Sequence, residues 1–221
     1  MTPCLIAIAG MSGAGKTALA TALAERLAAQ SAIIALDSYY HPLAHLPVAE
    51  RATRNYDHPD ALDWPLLAEH LSSLLQGEPI AGPVYLFDEH TRAPHTSHVD
   101  PQPYLIVEGI LALHQPEIRS LAGLKVFVTT PEDECLRRRL VRDVHERGRT
   151  RASVLDQYNA TVLPMAREFV LPSSAHADLI VSGAQPLDHS VATVLTRVAH
   201  ALMRAASRLI ATPRPPPLDS P

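Results

Sequence analysis

Of the nineteen basic residues in this chain of 221, all but two, Lys16 and Lys125, are arginine. The net charge is −4, so there is no overall basic field and bulk attraction to nucleic acid is excluded. Cysteine occurs twice, at Cys4 and Cys135, without metal-ligand spacing, so both read as reduced core residues of a cytosolic protein. No apolar run approaches a membrane span, and the N-terminus lacks the charged-then-apolar pattern of a secretory signal. His95 and His98 are spaced like metal ligands, but no Cys or acidic partner completes a set, so zinc is not expected. Glycine is also scarce, yet three of the nine stand together at Gly10, Gly13 and Gly15.

Those glycines belong to Gly-Met-Ser-Gly-Ala-Gly-Lys-Thr at residues 10–17, a complete G-x-x-x-x-G-K-[ST] phosphate loop. It follows an apolar run from Leu5 to Ala9 that suits a buried strand. It precedes Thr17 to Ala29, where Leu19, Leu23 and Leu27 recur at helical spacing. In such a loop the backbone N–H groups around Ser12, Gly13, Ala14 and Gly15 converge on an anion, and the helix N-terminus adds its dipole. Lys16 is expected to reach the outer phosphates and Thr17 to offer a hydroxyl to Mg²⁺. A compact ammonium suits this position in a chain that otherwise uses arginine.

The length and a hydrophobic fraction of 47% suit one α/β domain. Further strands are read at Ala32–Leu36, Tyr104–Val107, Leu124–Val128 and Ala177–Val181, with Val84–Phe87 in a separate small β insertion near 77–103. Helices are read at Trp64–Leu75, from Thr130 (as N-cap) towards Gly148, at Arg151–Tyr158 and at Ser190–Leu209. On the last, Val191, Val194, Leu195, Val198, Leu202 and Leu209 form the apolar face. Alternating strands and helices imply a parallel sheet covered on both faces, with ligands beyond its carboxyl ends. Periodicity does not give the strand order. The proline-rich tail at 211–221 is expected to be disordered.

Asp37, Glu108 and Gly10 each follow such a strand end. Asp37 could accept a proton from an attacking hydroxyl and approach Mg²⁺, or could simply cap a turn. Glu108 could support the metal or be an ordinary strand-end acid. Gly109 after it is expected to keep the backbone clear of phosphates. Seven arginines stand between Arg137 and Arg151, of which Asp143 and Glu146 neutralise only part. They could close over a triphosphate as a lid, near 137–151, or face solvent in salt bridges. Tyr85, Phe87 and His90 could form a base-sized pocket or a small cluster under a loop.

Several stretches then resemble the uridine–cytidine kinase family, from Ile6 to about Leu209. They are the phosphate loop, Asp37-Ser38-Tyr39-Tyr40, Asn55-Tyr56-Asp57-His58-Pro59-Asp60-Ala61, Pro83-Val84-Tyr85, His90-Thr91-Arg92 and Val107-Glu108-Gly109-Ile110-Leu111. Further on stand Arg142-Asp143-Val144-His145-Glu146-Arg147-Gly148-Arg149, Gln157-Tyr158, Val162-Leu163-Pro164-Met165 and Ala177-Asp178-Leu179-Ile180. The resemblance implies a P-loop NTPase fold, α/β, with a parallel sheet flanked by helices, the β insertion and the Arg-rich lid, all within a kinase domain spanning 1–210. The implied reaction is phosphorylation of the 5′-hydroxyl of uridine or cytidine by ATP or GTP with Mg²⁺.

The resemblance also assigns roles. Asp37 is the base. Asp57 and Arg139 hold the ribose hydroxyls, and Tyr39, Tyr85, Phe87 and His90 lie on the substrate side with Arg149 and Gln157. Arg142 and Arg147 contact phosphate, and Thr17, Glu108 and Asp37 form the Mg²⁺ shell. A cytoplasmic homotetramer under feedback by CTP or UTP is implied too, without nucleic-acid or membrane partners. Two other readings stay open: a kinase for another small alcohol, such as pantothenate or a sugar phosphate, and a nucleotide-binding regulator without chemistry. No Asn-Lys-x-Asp guanine motif occurs.

Overall fold

In the computed structural model, residues 3–27 and 30–211 are described, with side chains to residue 200. A five-stranded parallel sheet has the order β2-β5-β1-β6-β7, made by Cys4–Gly10 (β1), Ser31–Ala35 (β2), Tyr104–Glu108 (β5), Leu124–Thr129 (β6) and Leu179–Ser182 (β7). Every residue of β1 is buried. Leu5 lies opposite Leu105 on one side and Ile6 opposite Leu124 on the other. A strand buried on both faces reads as a continuous apolar run, which is why β1 needs no alternation. Each fully buried Leu or Ile there contributes about 1.5–3 kcal/mol of transfer free energy.

The helices are Lys16–Arg26 (α1), the single turn Val48–Arg51 (α2), Trp64–Gln76 (α3), Pro116–Leu121 (α4), Glu132–His145 (α5), Arg151–Gln157 (α6), the short Leu163–Met165 (α7) and Leu187–Ala211 (α8). α1 packs on α8, and α3 on α4. Asp63 caps α3 by accepting from Leu66 N–H at 3.3 Å, Pro65 fills its first turn, and the helix stops at Gly77. The separate hairpin pairs Ile80–Leu86 (β3) antiparallel with Thr91–Val99 (β4), with a bulge between Pro83 and Tyr85.

Several expectations shift. Thr130 does not cap α5: Pro131 holds that position, while the Thr130 hydroxyl donates to the Ala14 carbonyl at 2.9 Å. Ala177 precedes β7, because Asp178 is held by Lys125 through its backbone N–H and its carboxylate. α5 ends at His145 rather than near Gly148. α8 begins at Leu187 instead of Ser190, whose hydroxyl donates to Ser182 O at 3.0 Å. Val191, Val194 and Val198 of its expected apolar face are buried. The side chains of Leu202 and Leu209, and the tail from 212 onward, lie outside the described residues. Phe87 falls beyond β3, in the turn, and stays exposed. Among the described residues no helix is long and apolar enough to cross a membrane.

Candidate active site

The strand order brings three chain ends side by side. β1 runs into the phosphate loop, β5 ends in Glu108, and β2 passes into a 3₁₀ turn, Leu36–Tyr39, that carries Asp37. Thr17 donates its hydroxyl to Glu108 Oε1 at 3.1 Å. Lys16 is buried and its Nζ donates to Met11 O at 3.0 Å. Burial pushes the Lys16 ammonium down, against the pull of the Glu108 and Asp37 carboxylates. Burial pushes the Glu108 carboxyl up, opposed by Lys16. Gly109 lines the cleft and is also required by packing, since a Cβ there would overlap the Leu36 side chain. Gly183 is required too: a Cβ would run into the Ala14 carbonyl that Thr130 holds.

Across from the loop stands a second wall. Asp57 is buried, and burial raises its carboxyl, with the Arg139 guanidinium opposing. Arg139 donates to Ser12 Oγ at 2.9 Å and to Gln157 Oε1 at 3.0 Å, so it links the phosphate loop to α6. The aromatic rings of Tyr40, Tyr56, Tyr85 and Phe87 meet edge to face at 5.1–6.4 Å. His90 stacks on Tyr56 at 5.6 Å. Burial, and then the Arg149 guanidinium, push the His90 imidazolium pKa down and favour the neutral ring. The Arg147 guanidinium lies 4.8 Å over the Phe87 ring, within cation–π range.

A cleft of about 400 Å³ runs between the walls. It is lined by Ser12, Lys16, Thr17, Asp37, Asp57, Tyr85, Phe87, His90, Glu108, Arg139, Arg142, Arg147, Arg149 and Gln157 of the expected site. Gly10, Gly13, Ala14 and Gly15 form the loop without lining this cleft. Tyr39 does not line it either: its ring is buried in the core, and its hydroxyl bonds His70 Nδ1 at 3.0 Å. Tyr40 stands there instead, donating to Asp37 Oδ1 at 3.3 Å, and Tyr56 joins it. Both stand in stretches that carry the resemblance, and the 3₁₀ turn after β2 sets Tyr40 rather than Tyr39 towards the cleft. The hard oxygens of Thr17, Glu108 and Asp37 beside a buried ammonium suit a small divalent cation that keeps part of its water.

A second recess, about 240 Å³, opens on the other side of the loop between Gly15, Leu19, Val128, Arg138 and Gly183. Arg138 donates to Gly183 O at 3.0 Å and to Glu134 Oε1 at 2.6 Å. Hydrogen bonds from Arg137 and Arg138 hold the Glu134 carboxyl down at about 2. Nothing in three successive arginines marks this one as the neighbour of Gly15 in the loop.

Residues 5–188 match the model of the Phosphoribulokinase / Uridine kinase family. The chain belongs to this family. A uridine kinase of Shewanella frigidimarina is 47% identical over 182 residues, covering 80% of this chain and 86% of that protein. A uridine kinase of Tolumonas auensis is 43% identical over 204 residues, covering 90% and 95%. Family members and other kinases share the fold. Phosphoribulokinase from Rhodobacter spheroides superposes with TM-score 0.59 at 18% identity, over 84% of this chain and 74% of that one. D-glycerate 3-kinase from Cryptococcus neoformans gives 0.61 at 16% identity, over 84% and 88%. In this family member the cleft joins a phosphate loop to a carboxylate-and-aromatic wall, the two parts a kinase needs.

Proposed function

We propose that the protein transfers the γ-phosphoryl group of ATP or GTP to the 5′-hydroxyl of uridine or cytidine, giving UMP or CMP. The observation that carries this reading is one continuous cleft lined both by Lys16, Thr17 and Asp37 and by Asp57, Arg139 and His90. The likeness to uridine kinases over most of the chain supports it.

The acceptor's vicinal diol would lie on Asp57, whose two oxygens match two neighbouring hydroxyls. Its base would lie against Tyr85, Phe87 and His90. The 5′-hydroxyl then faces Asp37, which takes its proton as the oxygen attacks phosphorus, a role that contributes about 10²–10⁴-fold. Lys16, Arg142 and Arg147 stabilise charge on the moving phosphoryl group. Mg²⁺, held by Thr17, Glu108 and Asp37, would supply charge neutralisation across the phosphates. The recess beside Arg138 and Gly183 suits the donor's base. A cytoplasmic homo-oligomer without nucleic-acid partners belongs to the same reading.

The test is release of ADP with Mg²⁺ and ATP, comparing uridine, cytidine, 2′-deoxyuridine, adenosine, pantothenate and no acceptor. Turnover confined to uridine and cytidine is expected. Turnover with pantothenate alone replaces the substrate class. ATP binding without any acceptor-dependent turnover points to a regulator.

A further inference from the structure

Asp143, on α5, is the most buried charged side chain among the described residues, at 0% exposure, and it does not line the cleft. Four arginines gather on it, and all four line the cleft. Arg142 meets Oδ1 at 2.8 Å, and Arg147 approaches the same oxygen at 3.6 Å. Arg139 approaches Oδ2 at 3.4 Å and Arg149 at 3.8 Å. The Asp143 carbonyl also accepts from Arg149 N–H at 3.1 Å, which fixes the chain as it leaves α5.

The arginines on these oxygens reach into both walls. On Oδ1, Arg147 also covers the Phe87 ring. On Oδ2, Arg139 and Arg149 share Gln157 Oε1, and Arg139 also donates to Ser12 in the phosphate loop. Four guanidiniums this close repel one another, and a single buried carboxylate behind them is their common counter-charge. Neither Asp143 Oδ2 nor Arg139 Nε has a hydrogen bond among the described residues. Arg142 holds Oδ1 with two nitrogens at 2.8 Å, while the other three arginines stand at 3.4–3.8 Å, so one carboxylate faces all four and pairs closely with one.

We infer that Asp143 is a positioning residue: it never touches substrate, and it holds the arginines of both walls in one arrangement facing the cleft. Which wall takes donor and which takes acceptor rests on the reading under Proposed function, whereas the shared counter-charge does not.

The test uses the full chain with Asp143→Asn, which keeps shape and removes charge, and Asp143→Glu, which keeps charge and moves the carboxylate outward. Affinity for a non-hydrolysable ATP analogue is titrated by calorimetry, and turnover with uridine is measured beside the wild type. Both variants should bind the analogue about tenfold more weakly, and kcat should fall about 10²-fold. Combined with Arg142→Ala, Asp143→Asn should lose less than the product of the two single losses, because part of what Asp143 does runs through Arg142. Losses that multiply would overturn the inference, as would wild-type affinity and kcat in a folded variant. If Asp143→Asn fails to fold, Asp143→Glu decides by the same readouts. A wild type inactive on uridine and cytidine sinks the functional reading instead, and the analogue affinities still decide this one.

Discussion

The phosphate loop is written in eight consecutive residues, from the end of β1 into the first turn of α1, and its Ala14 carbonyl is held by the Thr130 hydroxyl. The opposite wall draws Asp57, Tyr85, His90 and Arg149 from separate segments and holds them largely by side chains: Arg139 on Gln157, Tyr56 on His90, Arg147 over Phe87. One wall is a local device repeated wherever phosphate must be held. The other is a tertiary assembly, and under the proposed function it sets what is phosphorylated. On that reading chemistry is concentrated where the sequence is most stereotyped, and selectivity where it is most dispersed.

Four substitutions probe that contrast, in order of expected effect. Asp37→Asn stands where the walls meet. It should lower kcat by about 10³-fold while nucleotide affinity persists, checked by ADP release beside calorimetry. Retained turnover would strip Asp37 of its role as base. Asp57→Ala belongs to the dispersed wall: kcat/KM for uridine should fall about 10²-fold, mostly through KM, and preference over 2′-deoxyuridine should shrink. An unchanged ribose preference would move the diol elsewhere.

Gly183→Ala strikes the local wall from a distance. Overpacking against Ala14 O should cost about 2 kcal/mol, seen as a lower Tm, and should weaken ATP more than uridine. Equal weakening of both would show that the walls are not separable. The smallest effect is expected from Tyr39→Phe, which removes the bond to His70 at a cost of about 1 kcal/mol and leaves the kinetic constants alone. A large rise in KM for uridine would return Tyr39 to the cleft.

How far the sequence could be read follows the same division. β1, β5 and β6 are apolar runs buried on both faces, so hydrophobicity alone marks them. The loop motif carries its own geometry. Tyr39 and Tyr40 show where reading stops: after β2 the chain enters a 3₁₀ turn, so strand alternation no longer says which ring faces in. Arg137, Arg138 and Arg139 are successive on α5 and point in different directions. Only docking against Gly183 on one side and Ser12 on another distinguishes them. Asp143 reads as one of two acids diluting a basic run, because burial of a charge is a property of neighbours brought in by the fold. Thr130 has the makings of a cap, yet its hydroxyl serves the loop instead.

That last contact has a bearing on how the protein is made. On the ribosome the loop emerges well before Thr130, 116 positions after Ala14, and before Gly183. A nascent chain therefore carries the whole motif long before it has the groups that hold the Ala14 carbonyl. Nucleotide that binds only the finished loop stabilises completed molecules and not growing ones. A nucleotide bound in this way would select finished chains rather than serve as a template for folding.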